Sequence, residues 1–151
     1  MNSHDEEFAG EIREARAQDH ARIAELAGQL MYASSASDIR KRLEGMGESK
    51  EHAVFVARLA EEEIAGWIAV FVYRTVEADA RAEVSGLIVD ERYRSQGIGL
   101  RLLARAERWA REQGCRVIGL RSNVIRERAH AFYERQGYQH VKTQKSFRKD
   151  L

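Results

Sequence analysis

The sequence predicts a mixed α/β fold in which helices flank a central, mostly antiparallel sheet. Three observations carry that expectation. Residues 52–59 and 64–76 are rich in Val, Ile, Phe, Trp and Tyr and are separated by the acidic cluster at 61–63, the pattern of a β-hairpin. Residues 84–110, VSGLIVDERYRSQGIGLRLLARAERWA, pass from an apolar strand-like run through a polar turn and two glycines, Gly97 and Gly99, into a long amphipathic pattern. A short apolar run at 115–120 follows, so that residues 84–120 read as a βαβ unit with a parallel strand pair. At 151 residues a single domain is the economical reading, and a chain of this length buries roughly 70% of the surface its unfolded form exposes.

Taken in order, residues 1–10 read as a flexible N-terminal tail and 11–151 as the domain. Residues 11–16 form a first short strand with weak alternation. Asp19 reads as the N-cap of a helix that carries Ile23, Leu26, Ala27 and Leu30 at helical spacing. Residues 34–37 break that pattern, a second short helix covers 38–43, and Gly45 and Gly47 lead into a loop. The first third is thus a two-helix cover. After the hairpin comes a strand at 81–89, then a helix at 97–113 with Ile98, Leu102, Leu103, Ala106, Trp109 and Ala110 on its apolar side. Gly114 suits its C-terminus, and Cys115 reads as a small residue entering a buried strand. A last helix at 127–136 stops at Gly137, and 138–147 add one or two terminal strands.

Composition narrows the function. Net charge is +1, so the global balance does not announce a nucleic-acid partner, and no RNA-reading motif is present; arginines nonetheless gather between 92 and 135. One cysteine excludes an intramolecular disulfide, and no apolar run is long enough to span a bilayer. A soluble, cytoplasmic protein with no membrane partner is the expectation. The five histidines lack ligand spacing, so no metal is expected. His130 has a substrate-side reading beside its plainer one as a helix-surface residue.

A strand, glycine loop and helix can aim backbone N–H groups and a positive helix end at an anion, so the first functional reading is a phosphate-bearing ligand. The loop Arg94, Ser95, Gln96, Gly97, Ile98, Gly99 has the form R-x-x-G-x-G, which is neither the dinucleotide fingerprint nor a P-loop. With this loop, and with SNVIRERAHAFYERQGY at 122–138, the sequence resembles the GNAT family of N-acetyltransferases across about half its length. The interval from Asn123 to Tyr133 is longer than the family's commoner one. The resemblance implies a single-domain GNAT-like fold and acetyl-CoA as acyl donor, its pyrophosphate held by residues 94–99. It also implies that backbone groups of Leu87, Ile88 and Val89 meet the pantetheine arm or the thioester carbonyl, with Asn123 as a further contact. Family members self-associate, which makes a homodimer plausible.

The same resemblance assigns chemistry. An amine attacks a thioester only when neutral, so a base and a proton donor are needed. Glu83 matches the family's strand glutamate as base, against a plainer role as a structural carboxylate. Tyr133 matches the phenol near the sulfur, against a core aromatic. Strand alternation puts Glu83, Ser85, Leu87 and Val89 on one face unless a bulge intervenes. The expected activity is direct transfer of acetyl to a primary amine of a small molecule, peptide or protein, on an acceptor side built from the first two helices, the loop at 31–38, the strand around 67–73 and the terminal hairpin. A non-catalytic acyl-CoA-binding regulatory protein is the competing class.

Overall fold

The computed structural model describes residues 8–29 and 34–151. Strand β1 (Glu11–Glu14) is followed by helices α1 (His20–Gln29) and α2 (Ala36–Gly47), then by strands β2 (His52–Arg58), β3 (Ile64–Tyr73) and β4 (Arg81–Val89). Helix α3 (Ile98–Glu112), strand β5 (Ile118–Leu120) and helix α4 (Glu127–Arg135) complete the order. The strands lie in sequence order, β1-β2-β3-β4-β5, antiparallel except for the parallel β4–β5 pair that α3 connects. The chain groups into one compact unit that ends at Leu120 and a second, Arg121–Leu151.

Register decides what each face of the sheet covers. Antiparallel partners share a face, so Gly66, Ile68, Val70 and Val72 of β3 lie with Val89, Leu87, Val84 and Ala82 of β4. That face receives α3: a Cβ on Gly66 would meet Leu102, and Arg105 of α3 stacks its guanidinium 4.1 Å from the Phe55 ring of β2. The opposite face receives α1 and α2. There Ile23 and Leu26 pack with Val56, Ile64 and Ile88, and Ile39, Leu43 and Trp67 close the cluster. Helical spacing of the apolar residues on α1 and α3 is what aims them at the sheet.

Several element ends differ from the sequence reading for local reasons. Asp19 is no N-cap. It closes a 3-10 turn before α1, where its carboxylate accepts the Arg16 N–H at 2.7 Å and the Arg13 guanidinium at 2.8 and 3.1 Å. Ser35 caps α2 by accepting the Asp38 N–H at 3.1 Å, and the helix runs through Gly45 to Gly47 on a side where glycine meets open space. Strand β3 stops at Tyr73, short of the expected end at Val76, which is exposed. Gly114 takes a left-handed φ of 79°, and the Cys115 N–H returns to the Ala110 carbonyl at 3.0 Å. Cys115 is therefore a buried part of the helix exit, and β5 starts only at Ile118.

Residues 139–151 form no strand. Val141 and Phe147 are the only large apolar residues among 139–150 and both are exposed, which leaves an isolated hairpin too little apolar surface to hold it. Of the expected tail, residues 8–10 are described: Phe8 is buried, with the Arg101 guanidinium 5.0 Å from its ring and donating to its carbonyl at 3.0 Å. Leu30 and loop residues 31–33 lie outside the described residues.

Candidate active site

Strand β4 changes partners along its length. It pairs with β5 only through Ala82↔Ile118, Glu83↔Gly119 and Val84↔Leu120. Beyond Val84 its outer edge carries no ladder among the described residues. The Asp90 N–H donates to the Ala65 carbonyl of β3 at 2.8 Å, so alternation directs the backbone of Ile88 to β3 as well and turns the N–H and C=O of Leu87 and Val89 outward. The Ile88 side chain is buried in the cluster beneath α1.

A bulge marks the transition. Val84 pairs with Val70 and Gly86 with Ala69, which leaves Ser85 as the extra residue, its hydroxyl 3.4 Å from the Ala69 carbonyl. Glu83 consequently shares a face with Gly86 and Ile88 on the α1/α2 side, while Leu87 and Val89 face α3. The simple alternation that groups Glu83, Ser85, Leu87 and Val89 fails because one residue has been inserted.

Glu83 is 6% exposed. Across the sheet it has Phe71 on one side and Gly119 on the other, and no atom lies within 4 Å of where a Gly119 side chain would begin. His52 stacks on Phe71 at 5.8 Å, and Tyr73 meets Phe71 edge-on at 6.1 Å. Arg81 stands two residues before Glu83 on the same face. Its Nε is 3.6 Å from the carboxylate, and its guanidinium carbon is 4.7 Å from the Tyr73 ring centre. A buried carboxylate beside aromatic rings and an open glycine is an arrangement able to hold an ammonium group and take its proton.

The glycine loop follows from the strand end. Arg94 is extended, Ser95 has φ 65° and Gly97 φ 77°, and α3 begins at Ile98. The first N–H groups of a helix lack carbonyl partners within it, and the left-handed residues before α3 bring further N–H groups to the same concavity. A Cβ on Gly97 would meet nothing within 4 Å, so its left-handed φ and not crowding is what calls for glycine there. Gln96 and Gly99 flank that concavity in sequence. Arg94 is half-exposed and lies 3.8 Å from Glu91.

Asp90 anchors the loop. It is 2% exposed and accepts the Arg92 N–H at 3.0 Å, the Arg92 guanidinium at 2.9 Å and the Arg22 guanidinium of α1. Arg22 also donates to the Ile64 carbonyl at 3.0 Å. The Arg92 side-chain hydrogen bond, working against burial and aided by the Arg92 N–H and Arg22, holds the Asp90 carboxyl well below the usual carboxylate range. One network thus ties α1, the start of β3 and the entry to the loop.

The C-terminal unit holds the other two expected residues. Asn123 accepts the Ile125 N–H on its side-chain oxygen at 3.2 Å, and its carbonyl accepts from His130 Nε2 at 2.9 Å, so both groups shape the turn before α4. Tyr133 lies on α4 with its ring 5.3 Å from Phe132 and 6.0 Å from Tyr138. Burial pushes its phenol above the ordinary value, with Arg126 opposing.

Sequence reasoning passed over Asp90, Arg22 and Arg81. D-E-R reads as a solvated turn, and the burial of Asp90 depends on an arginine 68 residues away. A strand-end aspartate just before a glycine loop was the available signal. Among the described residues no cluster of His, Cys, Asp and Glu is suited to a metal ion, and no helix is long and apolar enough to cross a membrane.

Known proteins share the fold and much of the sequence. The model of the Acetyltransferase (GNAT) family matches residues 13–138. An aminoglycoside N(6')-acetyltransferase type 1 of Stenotrophomonas maltophilia is 30% identical over 145 residues, 93% of each chain. An aminoalkylphosphonate N-acetyltransferase of Salmonella typhimurium is 37% identical over 81 residues, a match that spans 53% of this chain and 53% of that relative. A solved aminoglycoside N-acetyltransferase in complex with CoA shares the fold at TM-score 0.82 and 18% identity, covering 94% of this chain and 95% of that one. With a family model over most of its length and a relative aligned nearly end to end, the chain belongs to the acetyltransferase (GNAT) family, which moves an acetyl group from acetyl-CoA to an amine.

Proposed function

We propose that the chain acetylates the primary amine of a small molecule, with Glu83 as base and Tyr133 as proton donor. The observation that carries this reading is the placement of Glu83: a carboxylate 6% exposed, beside the bulge at which the outer edge of β4 parts from β5. The two relatives described above are named for aminoglycosides and aminoalkylphosphonates, both amine-bearing small molecules.

Acetyl-CoA, when bound, supplies an acetyl group activated as a thioester. The chain offers it the outward backbone groups of Leu87 and Val89, with Ile88 fixing that segment to the core. Residues Arg94, Ser95, Gln96, Gly97, Ile98 and Gly99 offer N–H groups and one guanidinium to its phosphates, which suits an anion at a helix start. Asn123 is a further contact in the same reading. Glu83 takes the proton that frees the amine lone pair. The amine nitrogen bonds to the acetyl carbon as the carbon–sulfur bond breaks, and Tyr133 returns a proton to sulfur. A phenol raised by burial keeps its proton at neutral pH and is able to give it.

The test is release of free CoA across a panel of amines, peptides and a lysine-bearing protein, with product mass confirming acetyl transfer. Glu83→Gln should lower the rate by about a hundredfold or more while acetyl-CoA affinity changes little. Acetyl-CoA binding with no transfer to any amine would replace this reading with the regulatory one. We extend the proposal to a cytoplasmic homodimer, checked by cell fractionation and light scattering.

A further inference from the structure

We infer that the preferred acceptor is a small amine that also carries an anionic group, and that Arg81 recognises the anion. The inference rests on the reading that the face of Glu83 receives the acceptor. Arg81 and Glu83 precede the bulge and lie two residues apart on β4, so their side chains project from the same face. At 3.6 Å from Nε to the carboxylate, their contact is an ion pair longer than a hydrogen bond. The guanidinium carbon lies over the Tyr73 ring, 4.7 Å from its centre, which holds the group against that ring. Neither terminal nitrogen donates a hydrogen bond among the described residues, and the side chain is 36% exposed. A planar guanidinium held by a ring, with its outer edge open, fits two oxygens of a phosphonate, phosphate or carboxylate.

The neighbouring cation behaves differently. Arg74 places Nε and Nη2 on Glu51 at 3.0 and 2.6 Å and is occupied by that pair. Around Glu83 the cross-strand row is His52, Phe71 and Gly119, with no second carboxylate. A polycationic acceptor would meet one carboxylate already beside a cation, which is the wrong field for several ammonium groups. A zwitterion meets both partners at once: its ammonium on Glu83 and its anion on Arg81. Residues two apart on a strand are separated by roughly 6.6 Å along the chain, so the spacer between amine and anion is short, about two or three carbons.

The experiment compares kcat/KM for 2-aminoethylphosphonate, ethanolamine and spermidine, with acetyl-CoA saturating. The wild-type protein should favour the phosphonate over ethanolamine by about tenfold or more, and Arg81→Gln should lower that ratio about tenfold, as expected for one charge-assisted pair. A wild-type preference for spermidine, or an Arg81→Gln ratio equal to that of wild type, overturns the inference. A second readout is independent of turnover: calorimetric titration of 2-aminoethylphosphonate into the protein–CoA complex should show about tenfold weaker binding in Arg81→Gln, and equal affinity refutes it. Glu83→Gln separates the two readings, because loss of rate on every amine reports on the base, whereas Arg81→Gln reports on the ratio alone.

Discussion

Replacing Asp90 with asparagine isolates the charge that holds the entrance to the glycine loop. The side chain is 2% exposed and accepts from two arginines of unequal worth. Arg92 is 62% exposed, so its pairing contributes in the range of about 0–1 kcal/mol. Arg22 is 18% exposed; without the Asp90 charge it keeps the exposed Glu25 at 2.9 Å and the Ile64 carbonyl at 3.0 Å, so the loss belongs at the low end of the about 3–5 kcal/mol that a broken buried pair costs. Asparagine keeps the shape and one oxygen for the Arg92 N–H, which places the expected loss near the low end, about 3 kcal/mol. Urea unfolding followed by fluorescence of the buried Trp109 should show a lower midpoint at unchanged slope. In a double-variant cycle, Arg22→Gln and Asp90→Asn together should cost less than their sum. The pH dependence has a definite sign. A carboxyl depressed in the folded state contributes fully above its unfolded value of about 3.9 and loses that contribution as pH falls toward the folded value. The gap between wild type and Asp90→Asn should therefore be full at pH 6 and shrink below about pH 4. A loss under about 1 kcal/mol at pH 6 refutes the argument, because it would mean that Arg22 is solvated once its partner is gone.

Two further outcomes follow from the same geometry. A Cβ on Gly86 would stand 2.8 Å from Cη2 and Cζ3 of Trp67, so Gly86→Ala should destabilise by about 1–3 kcal/mol, and adding Trp67→Phe should recover part of it; thermal melts of the three variants decide. Tyr133→Phe keeps the ring packing but removes the hydroxyl: kcat should fall while the melting temperature holds, and because burial raises the phenol above 10.0, no alkaline limb of kcat near pH 8 should belong to it.

What the sequence made legible is what neighbouring residues determine together. The β4–loop–α3 segment could be read because strand character, a glycine free to turn left-handed and a helical period lie within one contiguous stretch. What it hid depends on partners far along the chain. The extra residue at Ser85 is defined by the register of β3, and alternation within β4 alone looks regular. Asp90 looks solvated until Arg22 is brought to it by α1. Asp19 has the residue type of a cap, yet its carboxylate turns back to Arg13 and the Arg16 N–H because β1 lies beside the turn. The terminal strands were read from a segment with too few apolar residues to hold a hairpin by itself.

The bulge explains why recognition by side chains and recognition by backbone occupy one strand without interfering. Before Ser85, the outward backbone groups of β4 are spent on β5, as in the Ala82 N–H to Val117 carbonyl bond at 2.9 Å, and only side chains are available for chemistry. After Ser85 the pairing has ended, and Leu87 and Val89 keep outward backbone groups while their half-buried side chains lie on the α3 face. An extra residue sharpens the local twist of one strand relative to its neighbour. Here the sharper twist falls between the last rung with β5 at Val84 and the first outward pair at Leu87, which is where β4 must turn away for its edge to stay open. Asp90 then closes the strand on β3 through its own N–H and passes the chain into the loop, so the opened edge is clamped at both ends: by β5 before the bulge and by the Arg22–Asp90 pair after it.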